Sequence, residues 1–254
     1  MTPVGPRCPD HATQGAPRIR PPVQERARRR LTYAQNAQPF VTWGLIGLNA
    51  IIYLITVAQG AGINSPGGSL FTKWALYGPA VANGGWWRLG TAAFLHASIL
   101  HIALNMVVLY MVGIPVERFL GPWRYLAIYI VSGLAGSAGA LVVDPTTVTV
   151  GASGAIFGLF GALFIIEYQQ TGTITGQAFT LIAINLVLSF AIPNISWGGH
   201  VGGLIGGILA TLALSRLGRS RGFYGRPGVA SMIALVLLGV ASIAVAYWKV
   251  RGYA

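Results

Sequence analysis

Residues 151–166 read GASGAIFGLFGALFII, and this stretch decides the fold. It carries no charged side chain, and Gly154, Gly158 and Gly161 recur at spacings of four and three residues, which places them on one face of a helix. Glycines that share a face allow the backbones of two helices to approach closely, as is common inside membranes. We therefore expect an apolar helix that begins near Ser153 and packs through its glycine face.

A second apolar stretch offers a matching face. Gly199, Gly203 and Gly207 recur every fourth residue, and His200 lies beside the first of them. Helix packing without any chemistry is the commoner meaning of such glycines. One face carries Ser153 and the other His200, so the two faces together favour a catalytic site. Nucleophilic catalysis needs a hydroxyl within hydrogen-bond reach of a base.

Composition indicates a membrane protein with several spans. The 254 residues are 54% hydrophobic and 9% charged, with a mean hydropathy of +0.64, whereas soluble domains carry about 25% charged residues. The net charge of +12 does not indicate a nucleic-acid partner, because the basic residues flank apolar segments and form no aromatic-interleaved platform. The single cysteine, Cys8, excludes an intramolecular disulfide framework and a multi-cysteine zinc site, and we predict no metal and no cofactor.

Seven segments approach the roughly 20 apolar residues that cross a bilayer. They cover residues 40–58, 95–114, 124–143, 152–168, 177–193, 199–215 and 228–248. These segments predict an all-α polytopic membrane protein, a bundle of about seven transmembrane helices. We interpret residues 1–38 as a disordered basic cytoplasmic tail, residues 39–216 as a six-helix core, and residues 217–254 as a basic linker with the seventh transmembrane helix.

Basic residues predict the orientation. Thirteen of the 17 Lys and Arg residues lie on the inner side if the N-terminus is cytoplasmic, and four lie outside. We therefore expect a multi-pass protein of the cell membrane with a cytoplasmic N-terminus and an external C-terminus. Residues 59–93 are rich in aromatic residues, and we interpret them as a structured interfacial loop on the outer face. A plain connector with belt aromatics is the alternative.

This orientation brings the candidate residues to one depth. Spans two, four and six all run from outside to inside, so His96, His101, Ser153 and His200 are all expected near the outer face. Ionisable residues inside apolar spans are costly and suggest function. A histidine that is simply hydrogen-bonded within a bundle is the alternative.

Two further side chains could support catalysis. His101 and Asn105 are four residues apart and share a helix face, where both could donate hydrogen bonds to an oxyanion. An interhelical polar pair is the alternative interpretation. Only one acid, Asp144, falls on the outer side, and nothing in the sequence places it behind His200. We therefore prefer a Ser–His dyad, in which Phe157 holds the imidazole by packing.

Taken together, these residues resemble the rhomboid family over about residues 40–215. The resemblance rests on an ordered set of motifs, which are Trp87-Arg88, His96 with His101 and Asn105, Glu117-Arg118, Gly151-Ala152-Ser153-Gly154, and His200 followed by Gly203 and Gly207. It implies an intramembrane serine endopeptidase that cleaves transmembrane segments of membrane proteins.

The resemblance also implies individual roles. Ser153 would be the nucleophile and His200 the general base. His101, Asn105 and the Ser153 backbone N–H would stabilise the oxyanion, with Phe157 stacked on the catalytic histidine. The remaining motif positions would be supporting ones, namely His96, Gly151, Gly154, Trp87 and Arg88. The fifth span and the loop at residues 193–197 would form a lateral gate and cap. The oligomeric state is not predicted.

Two other functions are considered. A catalytically inactive rhomboid-like chaperone would bind client helices, but it would not need the intact set of Ser153, His200, His101 and Asn105. A transporter that uses the histidines would be expected to show intramembrane acidic partners and repeated halves, and the sequence shows neither.

Overall fold

The computed structural model describes residues 38–193, 195–216 and 228–254, and these belong to a compact helical unit. The predicted disordered tail, apart from Gln38, and the basic linker at residues 217–227 lie outside the described residues. The helices in chain order are α1 (Phe40–Gln59), α2 (Gly68–Trp74), α3 (Gly78–Ala82), α4 (Arg88–Thr91), α5 (Ile99–Leu120), α6 (Pro122–Val143), α7 (Ser153–Thr171), α8 (Gln177–Ala191), α9 (Trp197–Arg216) and α10 (Val229–Val250). Short 3-10 turns follow α4 and α10.

Five of these helices are long and apolar enough to cross a membrane, namely α1, α5, α6, α9 and α10. The other two long helices fall just short. Helix α8 is apolar but has only 15 residues, and α7 ends in the polar residues Glu167–Thr171. The prediction of an all-α polytopic membrane protein is confirmed, and the seven predicted segments correspond to these seven helices.

The largest difference in boundaries is at α5. The sequence predicts a span over residues 95–114, whereas the helix covers Ile99–Leu120. Its start is fixed by Ser98, whose hydroxyl accepts a hydrogen bond from the His101 backbone N–H and so caps the first turn. The helix continues past Pro115 and ends at Gly121, whose φ of +82° suits a residue without a Cβ.

Glycines bring α7, α9 and α6 into backbone contact. A Cβ added to Gly203 would overlap the carbonyl oxygen of Gly154, and one added to Gly207 would overlap the backbone of Gly158. On the other side of α9, a Cβ on Gly202 would overlap Ala135 of α6. The expectation that the two glycine faces pack together is therefore confirmed, and α9 lies between α6 and α7.

Two buried or half-buried glutamates cap the starts of neighbouring helices. Glu117 of α5 accepts hydrogen bonds from the N–H groups of Val41 and Thr42 and from the Thr42 hydroxyl at the start of α1. Glu167 of α7 accepts from the N–H of Ala178 at the start of α8. A carboxylate at a helix N-terminus satisfies orphan donors and interacts favourably with the helix dipole. These contacts place the end of α5 beside the start of α1.

Short helices fill the segment between α1 and α5, so this segment is structured and is not a plain connector. Three hydrogen bonds from the side chains of Trp87 and Arg88, at the start of α4, close the C-terminal end of α2. Arg88 donates to the carbonyls of Thr72 and Ala75 at 2.8 and 2.7 Å, and Trp87 donates to Lys73 at 2.9 Å. Such donors satisfy the orphan carbonyls of a helix end.

Helix α10 packs against the same segment between α1 and α5. Its buried residues Ala246 and Val250 pack in one cluster with Leu76, Val81 and Leu89 from the segment between α1 and α5. Helix α10 therefore packs against the short helices as well as along α6.

Candidate active site

Ser153 is the first residue of α7 and is half-buried. The residues before it are held by the segment between α1 and α5. Leu76 and Thr149 exchange both backbone hydrogen bonds of an antiparallel bridge, and the Gly151 N–H donates to the Ala92 carbonyl at 3.0 Å. Gly151 has a φ of +126°, a conformation that L side chains rarely adopt. The turn before the serine therefore requires glycine.

The position at the start of α7 has an electrostatic consequence. The first N–H groups of a helix have no acceptor within the helix, and they carry the positive end of its dipole. The Ser153 N–H belongs to this first turn. The surroundings of the Ser153 hydroxyl consequently favour negative charge.

His200 lies in the first turn of α9 and stacks on Phe157 of α7. The two ring centroids are 4.1 Å apart and the ring planes differ by 14°. His200 is 8% exposed and Phe157 is 3% exposed. Since Ser153 precedes Phe157 by four residues, it lies on the same face of α7 one turn nearer the helix start. The structure thus brings the helix faces that bear Ser153 and His200 together.

The other side of His200 meets α8. His200 Nδ1 lies 2.5 Å from the hydroxyl oxygen of Ser189. The sequence analysis missed Ser189, because a single serine in an apolar span has no distinguishing pattern. Only its position four residues after Asn185, within the outer half of a short span, could have drawn attention to it.

No carboxylate hydrogen-bonds to His200 among the residues that the structure describes. Asp144, in the loop between α6 and α7, accepts instead from the hydroxyls and backbone N–H groups of Thr146 and Thr147. These bonds, led by that of the Thr147 hydroxyl, lower the pKa of Asp144 to about 2. The acid therefore has its partners within its own loop.

His101 approaches the turn before Ser153 from α5. Its Nε2 would be 2.8 Å from a Cβ placed on Gly151. Its Nδ1 accepts a hydrogen bond from the Ala97 N–H at 3.3 Å. A neutral imidazole whose Nδ1 accepts must carry its proton on Nε2. This places an N–H donor beside the start of α7.

Asn105 and His96 flank His101. Asn105 is buried and uses one amide hydrogen to reach the His101 carbonyl at 2.9 Å, which leaves its second amide hydrogen for another acceptor. The His96 ring is fully buried and meets the His101 ring edge-on, with centroids 5.1 Å apart. His96 thus lies behind His101.

Gly154 lies where α7 meets α6 and α9, as the packing above requires. Trp87 and Arg88 lie in the segment between α1 and α5, where their side chains bond to the end of α2 rather than to the serine. Across residues 38–193, 195–216 and 228–254, His, Cys, Asp and Glu nowhere form a group of three that could hold a metal ion.

The fold and this arrangement define a class: a polytopic helical membrane protein in which a serine-bearing and a histidine-bearing helix pack through glycine. The Rhomboid domain model matches residues 83–217, just over half of the chain. The chain belongs to the rhomboid family.

Individual relatives agree with this assignment. Rhomboid protease GluP of Bacillus subtilis (strain 168) is 37% identical over 195 residues, which cover 75% of this chain and 38% of that protein. Putative rhomboid protease YdcA of the same organism is 41% identical over 140 residues, which cover 52% of this chain and 69% of that protein. RHOMBOID-like protein 1 of Arabidopsis thaliana is 36% identical over 130 residues, which cover 48% and 33%. The chain thus spans well under half the length of two of these three relatives.

Proposed function

We propose that the chain is an intramembrane serine endopeptidase that cleaves peptide bonds in or beside the transmembrane segments of other membrane proteins. A dyad of Ser153 and His200 performs the reaction. The observation that carries the proposal is the stack of His200 on Phe157, one helical turn from Ser153, with ring centroids 4.1 Å apart. Relatives named as rhomboid proteases support the same reaction class.

The reaction follows from the chemistry of the two side chains. The Ser153 hydroxyl oxygen adds to the scissile carbonyl carbon while His200 Nε2 takes the hydroxyl proton. The imidazolium then gives this proton to the leaving amine nitrogen as the C–N bond breaks, and an acyl ester remains on Ser153. Water then adds to the ester carbon while His200 Nε2 takes its proton. The bond between the acyl carbon and the Ser153 oxygen breaks, the proton passes from His200 to that oxygen, and the carboxylic acid product leaves.

The oxyanion of each tetrahedral intermediate is stabilised by donors around the start of α7. The Nε2–H of His101, the free amide hydrogen of Asn105 and the Ser153 backbone N–H are the candidates. His101 is the best supported, because the Ala97 N–H on its Nδ1 leaves the Nε2 proton beside Gly151. Donors held in place before the reaction cost no reorganisation when charge develops.

The substrate must expose a carbonyl that a transmembrane helix normally hides in its own hydrogen bonds. Segments with helix-destabilising residues near the outer end should therefore be preferred. The contact of Glu117 with the start of α1 supports opposite directions for α1 and α5. Together with the distribution of basic residues, this favours a cytoplasmic N-terminus, a site near the outer face of the cell membrane and an external C-terminus.

The domain roles follow from this arrangement. Residues 39–216 form the catalytic core in the lipid bilayer, residues 1–38 a cytoplasmic tail, and residues 217–254 a linker with the additional helix α10. Helix α8, with the loop at residues 193–197, would be the side through which a substrate helix enters. It has only two buried residues, Ala178 and Ser189.

The test is cleavage of a model transmembrane substrate by the purified full chain in detergent and in liposomes. The wild type should cleave it and react with a fluorophosphonate probe, whereas Ser153→Ala and His200→Ala should lose cleavage and remain folded. The double variant should be little worse than either single variant, because members of a catalytic unit are not additive. Substantial cleavage by Ser153→Ala would refute the nucleophile, and a wild type that binds client helices without cleaving or labelling would indicate the chaperone.

A further inference from the structure

Ser189 connects α8 to the proposed base through two hydrogen bonds. Its hydroxyl oxygen lies 2.5 Å from His200 Nδ1 and 2.6 Å from the carbonyl oxygen of Asn185, one turn earlier in α8. The side chain is 3% exposed. A buried hydroxyl is costly unless it is hydrogen-bonded, and here both its donor and its acceptor capacity have a partner.

The direction of these bonds follows from proton counting. A carbonyl oxygen can only accept, so the single hydroxyl proton of Ser189 lies on the bond to Asn185. The Ser189 oxygen must then accept on its other side. His200 Nδ1 is consequently the donor, and the neutral imidazole carries its proton on Nδ1. The lone pair is left on Nε2, the nitrogen that the proposed reaction uses as a base.

We propose that Ser189 is a positioning residue that fixes the tautomer and orientation of His200, so that Nε2 is free to take the proton of Ser153. The inference rests on the proposed function. Three features then position His200. The Phe157 ring stacks on its face, Ser189 accepts a hydrogen bond from Nδ1, and its backbone belongs to α9 beside Gly199. The third member of a catalytic triad has this orienting role, and here a neutral hydroxyl on α8 supplies it.

The bond is retained through the reaction. When His200 takes the Ser153 proton, Nε2 gains a hydrogen and Nδ1 keeps its own, so the imidazolium still donates to Ser189. The Ser189 hydroxyl keeps its proton and donates it to the Asn185 carbonyl throughout, and no charge moves onto α8. Ser189 thus stabilises the imidazolium as a dipole without exchanging a proton.

A plain helical serine provides the matched comparison. Ser242 of α10 donates to the Leu238 carbonyl at 2.8 Å, the same bond to the preceding turn that Ser189 makes to Asn185. Ser242 has no such bond to a histidine among the residues that the structure describes. If the only role of Ser189 were its hydrogen bond within α8, Ser189→Ala and Ser242→Ala should have similar cleavage rates.

The kinetic test uses purified full-length Ser189→Ala, Ser189→Thr and Ser242→Ala with one transmembrane substrate. We expect kcat to fall about tenfold or more in Ser189→Ala, since an orienting hydrogen bond is lost and Nδ1–H is left unpaired, with KM little changed. Ser189→Thr keeps a hydroxyl that can bond to the previous turn, and it should recover most of the rate. Ser242→Ala should match the wild type. Equal rates for Ser189→Ala and the wild type would overturn the inference.

A spectroscopic measurement separates this inference from the proposed function. Nitrogen NMR of protein labelled with ¹⁵N in the histidine rings reports which nitrogen carries the proton, and His200→Gln assigns the signal. The wild type and Ser189→Thr should show His200 protonated on Nδ1, and Ser189→Ala should show a shift toward the other tautomer or a mixture. An Nε2-protonated wild type would refute the role of Ser189. Failure of the wild type to cleave would refute the proposed function and leave the NMR result to decide on Ser189.

Discussion

His101 Nε2 lies directly over Gly151, at 2.8 Å from the position that a Cβ would occupy. The contact joins α5 to the turn that precedes α7. Gly151 has a φ of +126°, which L side chains rarely adopt, and an added Cβ would have no room beside the histidine. The contact thereby holds the His101 side chain of α5 next to the first turn of α7.

The first prediction concerns this turn. Gly151→Ala should destabilise the fold by about 1–3 kcal/mol through backbone strain, and it should lower the cleavage rate because the methyl group displaces His101. The control is Gly47→Ala in α1, where nothing lies within 4 Å of an added Cβ. Thermal unfolding in detergent and initial rates would be measured for both variants. A Gly151→Ala enzyme as stable and active as the control would show that the turn tolerates a side chain.

The second prediction concerns the oxyanion donors. His101→Ala and Asn105→Ala should each lower kcat by on the order of 10²–10³, the typical cost of one lost donor, and should leave some fluorophosphonate labelling of Ser153. Asn83→Ala is the matched control, because Asn83 also donates to the carbonyl of the preceding turn, at 2.8 Å, but lies just after α3. If both site variants turned over substrate at the control's rate, His101 and Asn105 would be packing residues.

The third prediction concerns the contact between α7 and α9. Gly207→Ala should cost about 1–3 kcal/mol of stability, because the added methyl group overlaps the Gly158 backbone and the helices must separate. Gly239→Ala in α10 is the control, since its Cβ would meet only Leu134 Cδ1 at 3.8 Å. Unfolding midpoints of the two variants in the same detergent provide the measurement. Equal midpoints would argue against close backbone contact as the basis of this packing.

The sequence predicts the main helices and the meeting of α7 with α9, because glycine spacing and hydrophobicity are local signals. It also predicts one outer depth for His101, Ser153 and His200, since depth follows from the order and direction of the spans. The contacts between His101 and Gly151 and between Phe157 and His200 place these residues near one another, and the outer side stays a prediction.

Other features could not be predicted, because they depend on which elements meet in three dimensions. In the sequence, Glu117 and Glu167 look like ordinary charges at the ends of apolar segments. In the fold, Glu117 caps α1, which is distant in sequence, and Glu167 caps α8, the next long helix in the chain. Ser189 has no sequence signal, since its importance arises only when α8 packs beside His200. The start of α5 shifts because a single hydroxyl, that of Ser98, caps it.

The fourth prediction tests the ring stack. Phe157→Leu keeps an apolar side chain but removes the flat face that lies 4.1 Å from the His200 ring. Phe160→Leu is the matched control, because Phe160 is equally buried and meets Phe157 edge-on at 5.4 Å. Both variants should lose a similar stability of about 1–2 kcal/mol, whereas only Phe157→Leu should lower kcat markedly. Equal kcat values in the two variants would show that the stack contributes packing alone.

The last prediction separates a dyad from a triad through Asp144. Its carboxylate is exposed and bonded within its own loop, so Asp144→Asn should leave the cleavage rate near neutral pH close to that of the wild type. Loss of a true triad acid costs on the order of 10⁴ in rate.

The pKa of Asp144 is lowered in the fold from 3.8 to about 2, chiefly by the Thr147 hydroxyl. A lowered pKa means that the carboxylate stabilises the fold fully above about pH 4, and that this contribution disappears as the pH falls through about 2. Wild type and Asp144→Asn should therefore differ in unfolding midpoint at pH 6 and converge toward pH 2, while their cleavage rates at neutral pH stay alike. A folded Asp144→Asn enzyme whose rate falls by several orders of magnitude would replace the dyad with a triad.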